Sequence, residues 1–145
     1  MGTISIGRSI AVVVAGLLLL GFIDQTLERT LVMTLAQAPI QDEAAYLAIR
    51  NRPAVLAVSV VTHALASLLT GYVLARLAGA YEVQHAMATA ALAVMLVGFA
   101  SLTPNVMLPP LWVRIAMVLV TPPALIAGAY VRGQARIIRM EREQS

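Results

Sequence analysis

Apolar residues gather into four stretches, at residues 9–23, 53–75, 86–102 and 112–131, and polar residues are largely confined to the intervals between them. A bilayer core about 30 Å thick takes about 20 helical residues to cross. The run 53–75 meets that length without a charge and is bracketed by Arg52 and Arg76, which defines one span. The first stretch holds only 15 uncharged residues, but Arg8 can snorkel outward and Thr26 and Leu27 extend its far end. Residues 86–113 form one uncharged run of 28, interrupted by Pro104, Pro109 and Pro110. Proline lacks the amide hydrogen that a helix interior uses. A turn at 103–111 therefore separates a third span from a fourth, which begins near Pro110, a residue suited to a helical first turn.

The pattern predicts an all-α fold: an integral membrane four-helix bundle forming a single transmembrane domain over residues 1–145. Its helices are expected at about 6–38, 53–77, 84–103 and 110–140, joined by short loops, with the fourth kinked at Pro122-Pro123. Pro39 ends the first helix. A short amphipathic segment follows from Asp42, with Ala44, Leu47 and Ala48 on one side, lying along the outer surface. A cleavable signal peptide would use Arg8, the apolar run and Ala36-Gln37-Ala38, but Asp24, Glu28 and Arg29 separate that run from the cleavage motif and Pro39 follows it. The first helix is expected to stay.

Composition agrees: 60% of residues are hydrophobic and 12% charged, with a mean hydropathy of +0.86. All ten basic residues are arginine. Arg8, Arg76, Arg132, Arg136, Arg139 and Arg142 fall on one side of the predicted membrane, and Arg29, Arg50, Arg52 and Arg114 on the other. The positive-inside rule then puts both termini in the cytoplasm. The basic residues are too few, and too closely tied to helix ends, for nucleic acid. Arg132, Arg136, Arg139 and Arg142 are expected at anionic lipid headgroups, each worth about 1 kcal/mol. With no cysteine, disulfides, thiolate metal sites and cysteine nucleophiles are excluded.

Ser59, His63, Ser67, Gly71, Ala75 and Gly79 recur every four residues and form one helix-packing stripe. The third span offers Ala86, Ala90, Val94 and Gly98 as a matching small face, so these two helices are expected to pack together. His63 lies near the midplane and needs a polar partner. Pro122 and Pro123 free the carbonyls of Val118 and Leu119 at similar depth, which makes His63, Pro122 and Pro123 a candidate buried polar site. It is either a proton or ligand site beside a broken helix or, more commonly, a neutral histidine bonded to one freed carbonyl. A second candidate is an ion pair at the outer membrane surface between Arg114 and Asp24 or Glu28, the carboxylates lying four residues apart on one face.

No cofactor, metal or catalytic signature emerges. Gly16 and Gly21 have P-loop spacing, but Phe22 stands where lysine is needed. His63 and His85 are at different depths, too far apart to share one metal. A short echo links Gly21-Phe22 to Gly98-Phe99, and Gly71-Tyr72-Val73 to Gly128-Ala129-Tyr130-Val131; two parallel repeats or chance would account for it.

The run Gly71-Tyr72-Val73-Leu74-Ala75-Arg76-Leu77-Ala78, with His85-Ala86, Trp112, Pro122-Pro123 and Gly128, resembles a loose group of small bacterial four-helix membrane proteins of unknown function. The likeness covers about the last half of the chain, and residues 79–84 lack the proline that such proteins often carry there. It implies the architecture and a bacterial cytoplasmic membrane, and no activity.

Two function classes follow. An accessory or scaffold subunit would use small-residue faces to associate with itself or with a larger membrane complex. A small transporter or channel, dimeric because four helices barely enclose a path, would use His63 and the Pro122-Pro123 break. The sequence favours the first, because His63 is the only polar group it places at the midplane, and it gives no ground for an enzyme.

Overall fold

Five helices form in the computed structural model, which describes residues 6–36, 39–102 and 108–144, the side chains of 139–141, 143 and 144 excepted. They are α1 (Ile6–Leu35), α2 (Glu43–Arg50), α3 (Pro53–Ala78), α4 (Glu82–Ala100) and α5 (Leu111–Gln144). Among the described residues there is no strand. Four of the helices, α1, α3, α4 and α5 as far as Ile138, are long and apolar enough to cross a membrane. The expected ends of the first helix and of the 103–111 turn fall partly on residues 37–38 and 103–107, outside the described residues.

Local chemistry sets the boundaries. Asp42 caps α2 by accepting the Ala45 amide at 2.7 Å. Pro53 starts α3 at a position where its missing amide hydrogen costs nothing. Gly79 ends α3 with φ +69°, a backbone conformation open to glycine, and its amide reaches the Ala75 carbonyl. The last member of the predicted stripe is therefore an exposed cap outside the helix. In α2 the expected apolar side also differs: Ala44 and Ala48 are exposed, while Tyr46 and Arg50 turn inward.

The surface is inverted relative to a water-soluble protein. Phe22 and Phe99 are 70% and 72% exposed, whereas Ser67, Thr70 and Thr89 are fully buried. With hydrocarbon outside, burying apolar surface gains little, and association depends on close packing and polar contacts between helices.

The closest approach lies between α3 and α5. A Cβ on Gly71 would run into the backbone carbonyl of Leu125, and one on Gly128 into that of Leu68. The stripe thus meets α5 across its centre, where the sequence pairing anticipated the third span. α4 contributes the upper part of its predicted small face only: Ala86 clusters with Ala75 and Ala129, and Ala90 is buried. Gly98 is exposed with open space where a Cβ would stand.

Long-range contacts fix which ends lie together. Arg8 of α1 reaches the carbonyls of Leu77 and Ala78 at the end of α3. Arg136 of α5 donates to the Gly79 carbonyl at 2.8 Å and lies 3.5 Å from Glu82 of α4. The start of α1, the α3–α4 turn and the late part of α5 therefore share one end of the bundle. Arg136, expected at lipid headgroups, is tied to the protein at that turn.

Candidate functional site: an Asp–His–Thr chain

A polar assembly joins α1, α3 and α5 in the interior of the bundle. His63 is buried on α3. Its Nδ1 lies 2.5 Å from Asp24 Oδ2 on α1, and its Nε2 lies 2.7 Å from Thr121 Oγ1 on α5. Thr121 in turn donates to the Met117 carbonyl at 2.6 Å. His63 and Thr121 each stand ten residues beyond the starts of their helices, Pro53 and Leu111, about 15 Å along the axis. Asp24 joins them from α1, which continues past the apolar stretch to Leu35, as expected, and turns the carboxylate toward His63.

The three contacts limit how protons can be arranged along the chain. Thr121 has one hydroxyl proton and gives it to Met117, so His63 Nε2 must carry the proton that it shares with Thr121. On the other side of the ring, two bare lone pairs would repel at 2.5 Å, so a further proton lies between Nδ1 and Asp24. The pair is then neutral as a whole, whether written as imidazolium and carboxylate or as imidazole and carboxylic acid. If one proton leaves, two protons remain for three contacts, and the arrangement that keeps both bonds to the ring puts the remaining ring proton on Nδ1 and gives up the Thr121–Met117 bond. Thr121 must then turn its hydroxyl from Met117 to Nε2. Protonation is thereby coupled to a rotor on α5 immediately before Pro122.

A cavity of about 230 Å³ adjoins the pair, with Asp24, His63 and Thr121 forming its polar corner. Its remaining walls are apolar, including Leu17 and Leu20 of α1, Val94 and Val97 of α4 and Val118 of α5. The expected bond from His63 to a freed carbonyl is replaced by one to the Thr121 hydroxyl. Sequence reasoning missed Thr121, although its signal was present: a hydroxyl just before a Pro-Pro pair, at the same depth as His63.

The expected outer ion pair does not form. Among the described residues no carboxylate pairs with Arg114, and its Nε is buried without a hydrogen-bond partner. Asp24 is turned to His63, and Arg114 sits seven residues before Thr121, about 10 Å away along α5. Glu28 is taken by α2, where the Tyr46 hydroxyl donates to its Oε1 at 2.9 Å. Of the expected headgroup arginines, Arg142 is exposed, Arg132 has a buried Nε with no hydrogen-bond partner, and the Arg139 side chain lies outside the described residues. His85 is buried at the start of α4 with Nδ1 on the Tyr81 carbonyl at 2.8 Å.

The Tyr46 phenol is pushed up to about 12, first by burial, then by its hydrogen bond to Glu28 and that carboxylate's charge, against the opposing pull of Arg50 and Arg29. A raised folded-state value favours the neutral phenol. The stability it contributes is present below the ordinary value of 10.0 and is lost as pH rises from there to about 12. Titration of the phenolate absorbance should therefore show a late component that Tyr46→Phe removes. Glu28→Gln should move it toward ordinary tyrosine, and an unchanged late component in Glu28→Gln would contradict the assignment.

No protein-family model, curated protein or solved structure matches this chain.

Proposed function

We propose that the protein is a small membrane transport protein that moves protons, with the Asp24–His63 pair as the carrier and Thr121 as its switch. One observation carries this reading: an ionisable pair in 2.5 Å contact within the bundle, beside a cavity. Ionisable groups placed within membrane helices are costly and usually functional. The preference for an accessory subunit rested on His63 being alone at depth, and Asp24 removes that ground. The Pro122-Pro123 pair supports the same reading, since the carbonyls of Val118 and Leu119 lack amide donors and α5 can flex there. The setting we propose is a bacterial cytoplasmic membrane with both termini inside.

The subunit reading keeps one support. Gly21 and Gly98 are exposed, with no atom within 4 Å of where a Cβ would stand, and leave room for a neighbouring helix. Stoichiometric partners after purification in mild detergent would favour it.

The transport reading is tested in vesicles of purified protein enclosing a pH-sensitive dye, under an imposed pH gradient with a potassium ionophore for charge balance. Wild-type protein should collapse the gradient faster than protein-free vesicles, and Asp24→Asn should fall back to the protein-free rate. Equal rates for wild type and Asp24→Asn would end the proposal.

A further inference from the structure

The state that has released its proton raises a question of charge. With Nδ1–H donated to Asp24 and Nε2 accepting from Thr121, the assembly carries one net negative charge among apolar walls. Such a charge is expensive unless a cation compensates it. Asp24 is placed to meet one: its side chain is 28% exposed, against 9% for His63, and it lines the cavity. Its second oxygen, Oδ1, accepts no hydrogen bond among the described residues.

The walls decide what sort of cation fits. A metal ion such as magnesium or calcium needs at least six oxygen ligands or retained waters. This cavity offers a single polar corner in about 230 Å³ of otherwise apolar surroundings. A cation with its own apolar body matches both parts, burying hydrocarbon against Leu17, Val94 and Val97 while its charge lies at Asp24. We propose that the deprotonated Asp24–His63 pair takes a small lipophilic monocation of the quaternary ammonium type into this cavity in exchange for its proton. The inference rests on the proton-carrying reading. The balance is one for one: a proton leaves the pair for water, the pair goes from neutral to one negative charge, and the cation restores neutrality.

The charged neighbours are few. On α1 the next ionisable residue is Glu28, already bonded to Tyr46 of α2, and α2 also carries the buried Arg50, which donates to Asn51. On α3 it is His63 itself, and α4 contributes only Ala93, Val94, Leu96 and Val97 to the cavity. On α5 the nearest charged residue along the helix is Arg114, about 10 Å from Thr121. The proton exchanged is therefore that of the Asp24–His63 pair.

Calorimetric titration of the full-length protein with phenyltrimethylammonium, in nanodiscs of zwitterionic phosphatidylcholine, tests this. Repeating it in buffers of different ionisation enthalpy counts the protons released. Wild-type protein should release one proton per cation bound, and apparent affinity should rise about tenfold per pH unit while the pair still holds its proton. Asp24→Asn should weaken binding by about tenfold to a hundredfold, the range for losing a hydrogen-bonded or ion-paired charge. Ala93→Leu, which narrows the cavity and keeps every charge, should weaken it as well. Folding of each variant is checked by circular dichroism and size-exclusion chromatography, and Asp24→Glu should retain binding where Asp24→Asn loses it.

Binding without proton release, binding unchanged in Asp24→Asn, or no saturable binding by wild type at any pH would overturn the proposal. If any of these occurs while the vesicle gradient still collapses in an Asp24-dependent way, the proton reading stands and the cation falls. If the gradient test fails as well, both fall.

Discussion

Gly71→Ala is expected to lower the thermal midpoint of the detergent-solubilised protein by on the order of 5–10 °C, and Gly128→Ala by a similar amount. A Cβ at either glycine collides with backbone of the opposing helix, the Leu125 carbonyl for Gly71 and the Leu68 carbonyl for Gly128. A long side chain in the way could change rotamer, but a carbonyl moves only if a helix moves. Overpacking of this kind costs about 1–3 kcal/mol, and a backbone obstacle puts these variants at the upper end. At about 3 °C per kcal/mol for a chain of this size, the shift follows. Gly21→Ala and Gly98→Ala provide the contrast, because both positions face open space. Replacing glycine by alanine inside a helix there should leave stability unchanged or raise it by up to about 1 kcal/mol. Equal losses at Gly71 and Gly98 would mean that the α3–α5 crossing is not the tight contact of the bundle.

The four spans were legible because hydrocarbon imposes a length and excludes charge, a constraint that acts on each helix separately. Starts were legible for a similar reason: Pro53 and Asp42 act on their own backbones. The stripe through Ser59, His63, Ser67, Gly71 and Ala75 was legible as a buried face, and all five residues are buried. Its partner was not. A small face records that some backbone comes close without recording which one, and Gly98 and Gly128 look alike until the helices are placed. The echo between Gly71 and Gly128 was the available signal, for these two glycines sit on opposite sides of one crossing.

Asp24 was misplaced for a different reason. A carboxylate after an apolar run marks a membrane boundary when it is solvated, and sequence does not reveal that His63 holds it inside. Once Asp24 and Glu28 had found partners on α3 and α2, nothing remained for Arg114 among the described residues. Thr121 escaped notice because a threonine within a helix can satisfy itself on the carbonyl four residues back, as Thr26 and Thr34 do. Its contact with His63 depends on how α3 and α5 pack, which again is a property of the assembly.

The pair itself should prove to be a liability for stability. His63→Leu leaves the Asp24 carboxylate facing an apolar wall, and Asp24→Leu leaves the imidazole Nδ1 without its partner. Removing one member of a buried ion pair costs about 3 kcal/mol or more, because the survivor keeps its desolvation penalty and loses its partner. The double variant Asp24→Leu/His63→Leu removes both penalties and places two side chains of suitable volume beside Leu20 and Val118, which already line this cavity. It should recover most of the loss and come within about 1 kcal/mol of wild type, as replacement of buried ion pairs by packed hydrophobic residues often does. Denaturant unfolding of the four proteins in one detergent gives the coupling energy as a double-mutant cycle. A strongly favourable coupling, together with a double variant that is stable yet no longer collapses a pH gradient, would separate the two roles: packing alone would suffice to hold the bundle, and the charges would be there for the proton. A double variant no more stable than its single parents would instead make the pair a structural clamp between α1 and α3.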